Sequence, residues 1–269
     1  MVSPLLLGFM GLLAEEWNYT HGGADWEGKC EDGLNQSPID IFPENLTVIQ
    51  RGSEVMDSLD LHFQKLDVLG NLTSHNYKLS GNFLNVTENY GSLQTHGKSI
   101  GFHFHSPSEH MISGKQFDLE MHIVMTDDED GIIYYVLGLL FHVNGKTNKF
   151  INSVIDAYTA KTTIKLSDAF DGVTQLNNFY HYQGSLTTPP CSEIVNWFIW
   201  PKLLDLDSTQ LSWFSKFWAE NKEFANGHGN NRNTQELNGR VIYFFDGVDV
   251  QESFSKSLFV SALILGFFI

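Results

Sequence analysis

Apolar and polar residues alternate in short stretches through the middle of the chain, the pattern of strands that bury one face. In Gly101-Phe102-His103-Phe104-His105 the phenylalanines fall on one side and the histidines on the other, because successive strand side chains point to opposite faces. Leu119 to Met125 repeats the pattern, with Glu120, His122 and Val124 sharing a face. Residues 106–117 between them are rich in Ser, Pro, Gly and charge, and read as a hairpin connection. Asp40-Ile41, Phe83–Val86, Ile132–Val143 and Arg240–Phe245 read as further strands, with an acidic turn from Asp127 to Gly131. Phe150–Thr159 has helical spacing. Ser208 is the expected N-cap of another helix, whose Leu211, Phe214, Phe217 and Trp218 form an apolar stripe belonging to the core. Short apolar runs broken by Gly, Asn and Asp predict a mainly β (α+β) fold. No Pro/Ser-rich linker divides it, so one domain is expected.

The two ends depart from this rhythm. Pro4 to Leu13 is apolar and ends at Ala14-Glu15-Glu16, too short to span a bilayer and shaped like the h-region of a signal peptide. It lacks a basic n-region, and Leu12 stands three residues before a cut after Ala14. Leu258 to Ile269 is an uninterrupted apolar tail. A buried terminal strand is one reading; a glycosylphosphatidylinositol attachment signal fits better, with Gly247 or Ser253 as attachment point. The expected division is a signal peptide at 1–14, a domain at 15–247 and a tail at 248–269.

Composition narrows the setting. A formal charge of −16 over 269 residues argues against nucleic-acid or anionic-membrane binding through basic patches. Two cysteines far apart, Cys30 and Cys191, suit a single long-range disulfide. Asn18, Asn35, Asn45, Asn71 and Asn85 each begin an Asn-x-Ser/Thr triplet. With the apolar leader, these features point to a secreted or cell-surface protein.

The chemistry lies in the histidines. His103 and His105 share a face of one strand, and His122 lies on the next, so one metal ion could meet all three. Three neutral imidazoles with an open fourth position is the pattern of catalytic zinc. His103-x-His105-x-x-x-Glu109 also has the spacing of the cupin metal motif, and local sequence leaves both readings open.

Gly184-Ser185-Leu186-Thr187-Thr188-Pro189-Pro190-Cys191 separates them. With Gln36-Ser37-Pro38-Ile39-Asp40, Phe102 to His110 and Asn231-Arg232-Asn233-Thr234-Gln235, it resembles the α-class carbonic anhydrases, in order and spacing, from about Trp17 to Phe245. A cupin accounts for neither the first nor the last of these blocks. The resemblance implies a large, twisted, mostly antiparallel central sheet with short peripheral helices, and a conical site ending at zinc. It implies His103, His105 and His122 as ligands, with Glu120 and the Asn230 carbonyl holding the outer nitrogens of His122 and His105. Thr187 and Glu109 would orient a zinc-bound hydroxide that attacks carbon dioxide to give bicarbonate and a proton. Thr188 would line the same side, and Val124, Val136, Leu186 and Trp197 would form the apolar wall that receives the substrate. Tyr19 would help order pocket waters, and Cys30 would pair with Cys191.

Two positions depart from the family's fast members. Asn82 stands where they carry a proton-shuttling histidine, and Gly101 replaces a glutamine that supports the first zinc ligand. His21 and His75 are alternative shuttles. The resemblance also places Asn85 inside the cone, and the Asn35 segment reads as buried, which argues against glycans at both and leaves Asn18, Asn45 and Asn71. The implied partners are carbon dioxide and bicarbonate, with membrane attachment through a C-terminal lipid anchor. The competing function is a non-catalytic carbonic-anhydrase-like module at the cell surface or in a matrix. Such modules typically lose zinc histidines, and all three are present here.

Overall fold

The computed structural model describes residues 17–50, 59–60, 69–74, 79–81, 89–90, 97–127, 134–160, 163–165, 178–219, 225 and 227–246. The alternation of the sequence becomes one large sheet. Its strands are β1 (Thr47–Gln50), β2 (Leu69–Ser74), β3 (Leu79–Gly81), β4 (Gly97–His105) and β5 (Leu119–Asp127). There follow β6 (Tyr134–Val143), β7 (Thr163–Lys165), β8 (Phe179–Gly184), β9 (Val195–Leu206) and β10 (Tyr243–Asp246). Across the sheet they run β7-β2-β3-β4-β5-β6-β9-β8-β10-β1. The β6–β9 and β10–β1 pairs are parallel and the remaining neighbours antiparallel. The helices are α1 (Lys29–Asp32), α2 (Lys149–Ala160) and α3 (Ser208–Ala219).

One face of the sheet packs on α2 and α3. Phe102 and Phe104 from β4, with Leu119, Met121, Ile123 and Met125 from β5, are all fully buried there. They meet Phe150, Ile151 and Val154 of α2 and Phe214 of α3. Phe104 lies against Phe214 with ring centroids 4.9 Å apart. Each such side chain contributes about 1.5–3 kcal/mol when removed from water, so this face fixes the strand register. A slip of one residue would turn His103 and His105 into the helix layer.

Several local expectations change. The 106–117 connection contains Met111–Ile112 and Lys115–Gln116, which pair with each other and join Asp40–Ile41 in a small separate sheet. Asp207, not Ser208, caps α3: its Oδ1 accepts from the N–H groups of Thr209 at 2.8 Å and Gln210 at 2.9 Å. The Asp207 carboxylate stands outside the first turn and reaches both amides, which makes Ser208 the first helical residue. The closing strand begins at Tyr243, because Arg240 is engaged in the preceding turn through Leu237. The Phe83–Val86 strand, the 128–131 turn, the leader, the apolar tail, Gly247 and Ser253 lie outside the described residues, as do the side chains of Phe217 and Trp218.

Candidate metal centre

The pairing of β4 with β5 places His103 opposite His122 and His105 opposite Glu120. The imidazoles therefore share the sheet face opposite the phenylalanines, and one ring nitrogen from each lies within 4.8 Å of the others. His122 Nδ1 and His103 Nε2 are 3.2 Å apart. Two imidazole nitrogens bound to one tetrahedral zinc at about 2.0–2.1 Å stand roughly 3.3–3.4 Å apart. The outer nitrogens are already engaged: His105 Nδ1 meets the Asn230 carbonyl at 2.7 Å and His122 Nε2 meets Glu120 Oε1 at 2.8 Å. Asn230 is itself clamped, its side chain bonding Ser106 N at 2.9 Å and Phe104 O at 2.9 Å. The donor set therefore suits zinc, with the tautomers of His105 and His122 fixed from behind.

A second cluster, His110, Glu120 and His122, also draws together ligating atoms. It does not suit a metal, because the Glu120 oxygens are occupied. Oε1 meets His110 Nδ1 at 2.7 Å and His122 Nε2 at 2.8 Å, while Oε2 accepts from the N–H groups of Glu109 and His110, both at 2.8 Å. Burial works against ionisation of Glu120, yet the electrostatics and hydrogen bonds of the adjoining His110 and His122 rings outweigh it and hold the carboxyl well below its usual range.

Glu109 is buried beside the histidines, with Oε1 3.4 Å from His105 Nδ1 and Oε2 3.9 Å from His122 Nδ1. Burial pushes its carboxyl up, against the Arg232 backbone N–H and the Thr187 hydroxyl that both bond it. Thr187 is buried and Thr188 half-buried, on the loop that follows β8. Val124, Val136 and Trp197 form one row across β5, β6 and β9, and half-buried Leu186 packs on the same cluster. Trp197 lies edge-on to His122, with ring centroids 4.8 Å apart. A disulfide joins Cys30 of α1 to Cys191 at the end of the Thr187 loop. Beside it, Tyr19 is buried against Trp17 and Trp26.

Asn82, Asn85 and His75 lie outside the described residues, as does the side chain of Asn71. Gly101 lies in β4 opposite Val124. His21 and Asn45 are exposed and Asn18 is half-buried. Asn35, expected in a buried segment, is itself exposed, and burial begins at Gln36. His110, Tyr182, Ser37, Gln36 and Arg232 had no roles assigned from the sequence, though all but Tyr182 stood in singled-out motifs. Arg232, 1% exposed, gives its guanidinium to Gln36 Oε1, the Ser37 carbonyl and the Cys30 carbonyl at 2.7–2.9 Å.

Residues 21–245 match the family described as eukaryotic-type carbonic anhydrase. The carbonic anhydrase of Neisseria gonorrhoeae is 32% identical over 240 residues, 84% of this chain and 86% of that protein. Dioscorin DB3S of Dioscorea polystachya is 27% identical, over 91% of this chain and 93% of its own length. Among solved structures, carbonic anhydrase Cah3 from Chlamydomonas reinhardtii in complex with acetazolamide superposes with a TM-score of 0.66. That structure is 28% identical and covers 85% of this chain and 99% of its own.

Proposed function

The chain belongs to the eukaryotic-type carbonic anhydrase family, and from that premise we propose that it is a zinc enzyme interconverting carbon dioxide with bicarbonate and a proton. The observation that carries this reading is the convergence of three imidazole nitrogens within 4.8 Å, with His105 and His122 held by their outer nitrogens. His103, His105 and His122 would hold the zinc, whose Lewis acidity brings the pKa of a coordinated water to about 7.

The protein's own groups then do the orienting. The Thr187 hydroxyl bonds Glu109; a cation on the adjoining histidines would favour the ionised carboxylate against its burial, so the hydroxyl's hydrogen would be spent there and its oxygen would accept from the attacking oxygen. That direction of bonding selects one lone pair for attack. The Thr187 N–H offers a donor to a substrate oxygen, and Thr188 lines the same side. Val124, Val136, Leu186 and Trp197 offer an apolar wall to an uncharged substrate. Asn82 cannot titrate near neutral pH, so proton exit depends on buffer or on His21 or His75.

The disulfide supports an extracellular setting. The leader, a domain spanning 15–247, glycans at Asn18, Asn45 and Asn71, and a C-terminal lipid anchor are proposed with it. A non-catalytic binding module is the second reading, and the likeness to dioscorin DB3S, a relative not named as an anhydrase, favours it. Metal analysis separates the two. One zinc per purified chain, lost in His122→Ala, is expected; a folded wild-type protein that takes up no zinc would sink the enzymatic reading.

A further inference from the structure

Gln36-Ser37 has no part in the chemistry above, yet Ser37 is fully buried and its hydroxyl stands where two hydrogen-bonded chains meet. One chain comes from behind the metal ligands. His122 and His110 share Glu120 Oε1, His110 Nε2 lies 2.7 Å from the Tyr182 hydroxyl, and that hydroxyl lies 2.9 Å from Ser37 Oγ. The other chain comes from the loop that carries Thr187. Ser185 N–H donates to Ser37 Oγ at 3.0 Å, and Ser37 N–H donates back to Ser185 Oγ at 2.9 Å. Gly184 permits this approach, since a Cβ there would collide with Ser37 Oγ.

Tyr182 is the bridge: its hydroxyl donates to Ser37 Oγ, and its oxygen faces His110 Nε2. Ser37 Oγ thus accepts from both the Tyr182 hydroxyl and Ser185 N–H, filling the two acceptor positions of a hydroxyl oxygen. Replacing Ser37 by alanine removes the partner of two groups, Tyr182 Oη and Ser185 N–H, in an interior where an unmade hydrogen bond is costly.

We propose that Ser37 is a positioning residue that ties the carboxylate behind His122 to the loop bearing Thr187, so that metal retention and the placement of Thr187 depend on one hydroxyl. The inference rests on the zinc reading above.

The test is zinc release to a chromogenic chelator from the wild type, Ser37→Ala, Tyr182→Phe and the double variant, with urea midpoints measured alongside. Each single variant is expected to release zinc about tenfold faster, and the double variant about as fast as either single. Zinc-saturated Ser37→Ala is further expected to lose more turnover than zinc-saturated Tyr182→Phe, because it alone releases the Ser185 arm. Val154→Ala in α2 is a control that destabilises from the helix side and should release zinc at the wild-type rate. Wild-type release from folded Ser37→Ala, or release by the double variant at the product of the singles, would overturn the proposal. So would equal acceleration in Val154→Ala. Should Ser37→Ala not fold, unchanged release from Tyr182→Phe overturns it as well. A wild type that binds no zinc defeats the zinc reading and this inference together. A wild type that binds zinc, with unaltered variants, defeats this inference alone.

Discussion

Under the proposed reading position 82 would carry the proton shuttle, and asparagine does not titrate near neutral pH, so a site with complete ligands would still be limited by where its proton goes. Asn82→His is expected to raise turnover in dilute buffer by at least about tenfold, general acid–base contributions ordinarily being ~10²–10⁴, and to matter little in concentrated buffer. Stopped-flow hydration across a buffer series checks this, and an unchanged dilute-buffer rate contradicts it. Residues such as His103, His105, Glu120 and His122 were legible because strand alternation is local. His110 was not, because its value depends on Tyr182, 72 positions away, and Tyr182 in turn on Ser37, 145 positions away. Asp207 was passed over for Ser208 for a different reason: both are good caps, and only the placement of the first turn distinguishes them.

Strands, not loops, place the three histidines. A row runs His103–His122–Gly138–Ile199–Tyr180 across β4, β5, β6, β9 and β8. The glycine in it would weaken an ordinary strand, but here its bare Cα leaves room for Glu120. A Cβ at Gly138 would lie 2.6 Å from Ile199 Cδ1 and 3.1 Å from Glu120 Oε1. Gly138→Ala is expected to destabilise the protein by about 1–3 kcal/mol through overpacking, and to weaken zinc binding about tenfold by displacing Glu120. Chelator competition with urea denaturation measures both, and unchanged zinc affinity in the folded variant contradicts the account. The existence of β4, β5 and β6 was readable from periodicity. The small sheet built from the 106–117 connection was not, since it depends on pairing with Asp40–Ile41.

At the scale of the whole molecule, stability should fall with acid in a predictable window. His181 is buried between β9 and β10, its Nδ1 on the Trp197 carbonyl at 2.9 Å and its ring stacked 4.7 Å from Phe198. Burial pulls its pKa from 6.5 down to about 4, against the Trp197 hydrogen bond. Between those values the unfolded chain binds a proton that the native protein does not. Stability present at neutral pH is therefore lost as pH falls from about 6.5 to about 4, by about 3 kcal/mol. His181→Phe should flatten urea stability across that window; an unchanged slope contradicts the assignment. The fold class and order of the functional blocks were legible along the whole chain. The joining of Cys30 to Cys191 was expected both from there being two cysteines far apart and from the resemblance, and it ties segments 161 positions apart. On the proposed reading this fold holds zinc in order to hydrate carbon dioxide. The direct measurement is stopped-flow carbon dioxide hydration by the protein loaded with one zinc per chain, with and without an aromatic sulfonamide. Buffer-dependent hydration well above the uncatalysed rate, abolished by the sulfonamide, is the predicted result; a folded, zinc-loaded protein that leaves the uncatalysed rate unchanged would contradict it.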